Sequence, residues 1–223
     1  MTAKIANFIS VLGHPLLTIS LFSILSLFTF ESIEKASLIS AIIIGGVIIP
    51  TTIKMYRGEK NGVYTNFDVS NKVERQSWYK YVLTLLFIAT LILFLTDQSF
   101  TLRLGGLLFF LLLLTSQIVN HYIKSSLHVS FNIFIAFLIL PMNLIISLLL
   151  FVFVPIIAWA RLALKRHTLK EIIVGAFIGS FWGFVSLFTM SGYAQKMLRS
   201  TDYHYSTPIQ LKDSDSRYYY KIQ

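Results

Sequence analysis

Residues 79–119 read YKYVLTLLFIATLILFLTDQSFTLRLGGLLFFLLLLTSQIV. Two apolar runs, Tyr79 to Leu95 and Leu102 to Val119, flank a short polar break, and each approaches the ~20 residues that a helix needs to cross a hydrocarbon core of about 30 Å. A connection as short as Thr96 to Thr101 joins antiparallel neighbours, so this stretch predicts a transmembrane helical hairpin. Working outward, five further runs have the same character: Ile5 to Phe30, Ala36 to Ile53, His128 to Leu140, Asn143 to Ala160 and Glu171 to Met190. The expected fold is all-α, a polytopic transmembrane helical bundle of about six to seven spans. His128 to Leu140 is short for a span, so its helix is expected either to begin earlier, near Tyr122, or to lie tilted inside the bundle. Apolar and polar residues do not alternate at period two in these runs, which excludes a membrane barrel. The first run is longer than a signal-peptide core and is followed by no small-residue cleavage pattern, so it reads as a retained helix.

Composition agrees with this reading. The chain has 223 residues, 55% of them hydrophobic and 13% charged, with a mean hydropathy of +0.70, values wrong for a water-soluble globule. It contains no Cys, which removes disulfides, thiolate metal sites, Fe–S clusters and thiol nucleophiles. A net charge of +9 on a soluble domain would suggest nucleic acid. Here the basic residues fall in short loops between spans, so anionic lipid headgroups or a phosphate ligand are the expected partners and nucleic acid is not. Residues 1–190 form the expected membrane domain. Residues 191–223, polar and rich in Tyr, are expected to be a disordered or loosely surface-bound tail.

The tight connections Glu31 to Lys35, Thr96 to Thr101 and Pro141-Met142 make three hairpins. By parity the richer connections, Lys54 to Trp78, Asn120 to Leu127 and Arg161 to Lys170, share one membrane face with the N-terminus, and the tail lies on the other. These three loops carry the residues able to do chemistry. They hold Asp68-Val-Ser-Asn-Lys72-Val-Glu-Arg75, then Lys124-Ser-Ser126-Leu-His128, then Arg161 followed by His167 and Glu171. His167 and Glu171 are i and i+4 at the start of a helix, so the carboxylate can accept from one imidazole nitrogen and leave the other free. Arg161 adds a planar cation, and a helix N-terminus favours an anion. Imidazoles, guanidiniums, a Lys and a hydroxyl without a carboxylate cluster for Mg²⁺ describe a site that binds phosphate and attacks it without a metal. His14, His121 and His204 read as interfacial bystanders, Gly175 and Gly179 as a helix-packing face, and Asp68-Val-Ser-Asn as too little of a Ca²⁺ loop.

In these residues the chain resembles the type 2 phosphatidic acid phosphatases, membrane lipid phosphatases related to the vanadium haloperoxidases. The family's third motif is Ser-Arg, five residues, His, three residues, Asp; this chain has Ala160-Arg161, five residues, His167, three residues, Glu171. The second, Pro-Ser-Gly-His, appears as Ser125-Ser126-Leu127-His128, and the first, Lys, six residues, Arg-Pro, as Asp68, six residues, Arg75-Gln76. The resemblance implies that His167 attacks phosphorus to form a phosphohistidine, that Glu171 orients it and that His128 protonates the leaving group. It further implies that Arg75, Ser126 and Arg161 hold the phosphate oxygens, with Lys72 as a helper from a different register. The implied substrate is a lipid phosphate or diphosphate, such as phosphatidic acid, phosphatidylglycerol phosphate or a polyprenyl diphosphate, with no cofactor and no metal. The implied setting is a bacterial plasma membrane with the site on its outer face, whereas the excess of basic residues in the motif loops puts that face in the cytoplasm. Two other readings are a catalytically silent member of the same fold that binds or scaffolds, and an unrelated small transporter. The near absence of polar residues within the spans weighs against the transporter.

Overall fold

A computed structural model describes residues 2–96, 98–205, 211–212 and 218–219, with side chains as far as Met190. The described residues fold into nine α-helices: α1 (Thr2–Leu12), α2 (Pro15–Phe30), α3 (Ile33–Ile43), α4 (Ile49–Lys60), α5 (Lys72–Leu95), α6 (Phe100–Asn120), α7 (Leu127–Ile139), α8 (Leu144–Ala163) and α9 (Leu169–Tyr205). Six helical stretches are long and apolar enough to cross a membrane: Thr2–Phe30, Ile33–Lys60, Lys72–Leu95, Phe100–Asn120, Leu144–Ala163 and Leu169–Met190. The protein is a membrane-embedded helical bundle. Large apolar side chains such as Ile145, Val152, Phe177 and Phe181 face outward, as a hydrocarbon solvent favours.

Two local breaks depart from the sequence reading. The run Ile5 to Phe30 was expected as one helix, but Pro15 has no N–H to give and drives His14 into an extended conformation (φ −67°, ψ 130°). The His14 ring then caps α2, its Nδ1 accepting from the Leu16 N–H at 3.2 Å. Gly13 permits α8 to pass close by, because a Cβ there would stand 2.6 Å from the Ile157 side chain. Further on, a π-helical turn, Ile44–Ile48, joins α3 to α4 just before Pro50, widening the turn where a helical N–H would otherwise be missing. The helices also outrun the apolar runs. α4 continues to Lys60, and α5 begins at Lys72 with Asn71 Oδ1 accepting from the Val73 N–H at 2.8 Å, so the loop between them is residues 61–71.

The short helix α7 lies at the bundle's centre. All thirteen of its residues are buried, and it starts at Leu127 rather than near Tyr122. The second of the two expectations for this segment therefore holds: it is packed inside. α9 approaches α7 along Gly175, Gly179 and Gly183, i, i+4 and i+8 on one face. A Cβ would come within 2.6 Å of the Ser126 carbonyl at Gly175 and within 2.4 Å of the Ser130 carbonyl at Gly179. This is the packing role read for Gly175 and Gly179.

The bundle occupies Met1–Ser186; Leu187–Gln223 forms a second compact unit. Within that unit α9 continues to Tyr205, and Leu211–Lys212 (β1) pairs antiparallel with Tyr218–Tyr219 (β2). Residues 206–210, 213–217 and 220–223 lie outside the described residues, and so does the disorder expected of them.

Two predictions follow from this architecture. Gly179→Ala must push α9 off α7, and overpacking of this kind costs about 1–3 kcal/mol, readable as a lowered unfolding midpoint in detergent. Because the chain lacks Cys, single Cys substitutions at Lys60, Tyr122 and Lys165, all exposed, can be labelled without background. An impermeant thiol reagent should reach those three from one side of sealed vesicles and Glu34→Cys from the other.

Candidate functional site

The loop 61–71 is shaped first. Gly62 adopts φ +72°, and the Tyr64 ring lies on Gly58, where any Cβ would collide with it. The Glu74 carboxylate fastens Thr65 through its N–H (2.9 Å) and its hydroxyl (2.5 Å). Val69 is buried and left-handed (φ 46°), a strained state for a β-branched residue. Its carbonyl accepts from Arg75 Nε at 3.1 Å, while Arg75 Nη1 donates to the Ser125 carbonyl at 2.8 Å. Arg75, 3% exposed, thereby stitches the first loop to the second.

Lys124 makes the corresponding stitch to the third loop. Its Nζ donates to the carbonyls of Ser70 (3.0 Å) and Arg166 (2.8 Å) and lies 3.5 Å from Glu171 Oε2. Lys165 turns through φ 53°, so the chain leaving α8 re-enters α9 within a few residues. α9 then opens on a capping box: Glu171 Oε2 accepts from the Thr168 N–H at 3.0 Å, and Thr168 Oγ1 accepts from the Glu171 N–H at 3.4 Å. The Glu171 carbonyl accepts from the Ser126 N–H at 3.1 Å, fixing α9 against the start of α7.

These ties set the chemistry. His167 Nδ1–H donates to Glu171 Oε2 at 3.0 Å, which leaves the lone pair on Nε2 free. Burial, with the cations of Arg75, Arg161 and Lys124 beside it, pushes the His167 imidazole far below its ordinary range, so it is neutral. Burial also lowers Lys124, against the pull of Glu171. For Asp68 burial opposes ionisation, but the guanidiniums, Arg161 first and then Arg166, outweigh it and hold the carboxyl below the usual carboxylate range.

Arg161 is fully buried at the end of α8. Its Nη1 donates to Ser10 Oγ (2.7 Å) and to Asp68 Oδ2 (2.5 Å), and Arg166 also donates to that carboxylate oxygen. Nε and Nη2 of Arg161, which point together along one edge of the guanidinium, have no partner. Nor do Ser126 Oγ, His128 Nε2 and His167 Nε2, all buried. Buried polar atoms are rarely left unpaired, so these are the candidate contacts for a ligand.

No protein-family model, curated protein or solved structure matches this chain.

Of the residues singled out in the sequence, the structure brings together Arg75, Ser126, His128, Arg161, His167 and Glu171. It does not bring Lys72. That ammonium is exposed and donates to the carbonyls of His121 (2.9 Å) and Tyr122 (3.1 Å), closing the C-terminal end of α6. His121 stays at the surface with its Nδ1 against the Gln117 carbonyl, as a bystander would, and the side chain of His204 lies outside the described residues. His14 is not a bystander. Its Nε2 faces Asp68 Oδ1 at 3.6 Å, and its ring meets that of His128 edge-on with centroids 5.0 Å apart. The sequence did carry a signal for it, since His14 is the one titratable residue within the run Ile5 to Phe30. Asp68 and Lys124 are named in the motif loops without a role in the site, and neither Arg166 nor Ser10 is singled out from the sequence.

Because Glu171 both caps α9 and orients His167, the two functions separate by substitution. Glu171→Gln keeps an acceptor for the Thr168 N–H but loses the charge facing His167 and Lys124, so thermal stability should fall by about 1–3 kcal/mol with the fold retained. Turnover should fall by about 10² or more, measured on the substrates named below.

Proposed function

We propose that this chain is a metal-independent phosphatase of lipid phosphates or diphosphates, akin to the type 2 phosphatidic acid phosphatases, acting through a phosphohistidine. The observation that carries the reading is a set of buried, unpartnered groups on residues of the second and third motif loops: the open edge of Arg161, the Ser126 hydroxyl, and the free nitrogens of His128 and His167. These are donors for phosphate oxygens beside a neutral imidazole whose lone pair is exposed to them. The charge balance agrees. Arg75, Lys124, Arg161 and Arg166 face only Asp68 and Glu171, so two positive charges remain for a phosphate dianion. Both carboxylates are already engaged, Asp68 by two guanidiniums and Glu171 by His167, Thr168 and Lys124, which leaves neither free to hold Mg²⁺.

In this mechanism the His167 Nε2 lone pair forms the N–P bond as the bond from phosphorus to the leaving oxygen breaks. His128 passes its proton to that oxygen; a dianion entering beside the imidazole favours its protonated form. Arg161 and Ser126 hold the equatorial oxygens as their charge redistributes. Water then attacks phosphorus, giving its proton to His128, and the N–P bond breaks to return neutral His167 and inorganic phosphate. Motif loops at the ends of apolar helices suit a lipid whose tail stays in the bilayer, and the setting this reading implies is a bacterial plasma membrane.

The test is phosphate release by the purified protein, with EDTA present, from a panel of phosphatidic acid, phosphatidylglycerol phosphate and a polyprenyl diphosphate. Release from at least one is expected, and His167→Ala should abolish it without loss of folding. Activity of His167→Ala within about threefold of wild type would exclude the phosphohistidine route.

A further inference from the structure

The mechanism above leaves His14 and Asp68 unused, although both lie inside the site. The break Gly13-His14-Pro15 sets the ring's position: Nδ1 is occupied by the Leu16 N–H, so the neutral imidazole carries its proton on Nε2, and Nε2 faces Asp68. On one side the ring lies against Phe67, centroids 5.5 Å apart; on another it meets His128 at an interplanar angle of 87°. His14, Asp68 and His128 each offer an atom within 4.8 Å of the other two. These are also the residue types of a divalent-metal site. Here, however, two guanidiniums already bind the carboxylate and the neutral His14 ring has no lone pair left over, so the geometry is better described as a close packing of two imidazoles beside a carboxylate, with His14 Nε2–H aimed at Asp68.

We propose that His14 and Asp68 form a second imidazole–carboxylate pair, which positions His128 as the proton donor to the leaving group. The inference rests on the phosphatase reading. The two site imidazoles have opposite tasks and receive different supports. His167 needs a bare lone pair, and Glu171 provides it by binding Nδ1–H directly. His128 needs to hold a proton and aim it, and no carboxylate bonds to it among the described contacts. The contact recorded on its ring is the perpendicular approach of His14, and Asp68 lies within 4.8 Å of both. The proton moves from His128 to the leaving oxygen; His14 and Asp68 neither gain nor lose one, so both are positioning residues. The N-terminal helix thus completes the site through Ser10 on Arg161, His14 beside His128, and the Gly13 carbonyl, which accepts from Asn132 Nδ2 at 2.9 Å.

His14→Asn separates this role from that of the cap, because Asn is a good N-cap for α2 but has no ring to reach Asp68 or His128. The comparison is kcat/KM on the alkyl monophosphate of the lipid panel that wild type hydrolyses fastest, against p-nitrophenyl phosphate, whose phenolate leaves without needing a proton. His14→Asn is expected to lose about 10² on the alkyl phosphate and at most about fivefold on the aryl phosphate. Equal losses on both substrates would mean that His14 only supports the fold and would overturn the proposal, as would retention within threefold on both. Should His14→Asn not fold, Asp68→Asn, which keeps an acceptor for Arg161, decides by the same contrast. Wild-type activity lost in EDTA and restored by Zn²⁺ would make the three groups metal ligands and likewise overturn the pair. If wild type releases no phosphate from any lipid, the phosphatase reading fails and this inference with it; an active wild type with equal losses refutes the inference alone.

Discussion

One carboxylate holds the site together. Glu171 Oε2 accepts from His167 Nδ1 and the Thr168 N–H and faces Lys124, while the backbone carbonyl of the same residue accepts from Ser126. Hydrogen bonds to a charged group are worth about 1.5–3 kcal/mol each, and a half-buried carboxylate lacking any of them would be costly. Glu171 therefore fixes the start of α9, the tautomer of His167 and the distance between the second and third loops at once. The glycine ladder 175–179–183 makes this possible, since only a helix without side chains on that face can lie close enough to α7 for the Glu171 carbonyl to reach Ser126.

Much of the fold was legible because a bilayer imposes a local rule: a helix must be apolar over its span. The apolar runs, the tight hairpin turns and the parity of the loops follow from that rule alone. What hydropathy locates, however, is the membrane and not the helix. α4 and α5 extend past their apolar runs because residues such as Arg57, Lys60, Lys72 and Glu74 are compatible with helix in a polar environment, and nothing before Asn71 stops α5 sooner. The break at His14 was written in Gly13-His14-Pro15, but in an otherwise apolar run Pro can also sit inside a span, as Pro155 does in α8.

The candidate site was legible where its residues are neighbours in sequence and opaque where they are not. The His167–Glu171 contact follows from helix pitch, and the structure has it. The partners of Asp68 are Arg161 and Arg166, more than ninety residues away, and His14 reaches the site from the break between α1 and α2; no spacing rule encodes such pairs. Lys72 and Arg75 lie three residues apart on α5, close to one face. Which of them turns inward was decided by the carbonyls of Val69 and Ser125 on one side and of His121 and Tyr122 on the other.

On the proposed kinship, Asp68 reverses the charge at the position where the first motif carries Lys. Taken alone, that exchange would remove two units of positive charge from a site meant for a dianion. The structure offsets it with Lys124 and Arg166, both drawn into the site by contacts that the motifs do not contain. The family motifs contain one Lys and two Arg against one acid, and this chain has one Lys and three Arg against two acids; the excess is two in both. Glu in place of the third-motif Asp closes in a similar way, its extra methylene spanning from the first turn of α9 to both the Thr168 N–H and His167. On that kinship, the two departures that change charge or reach are thus each met by a compensating contact, as expected when a fold preserves the electrostatics of an anion site while its individual residues change.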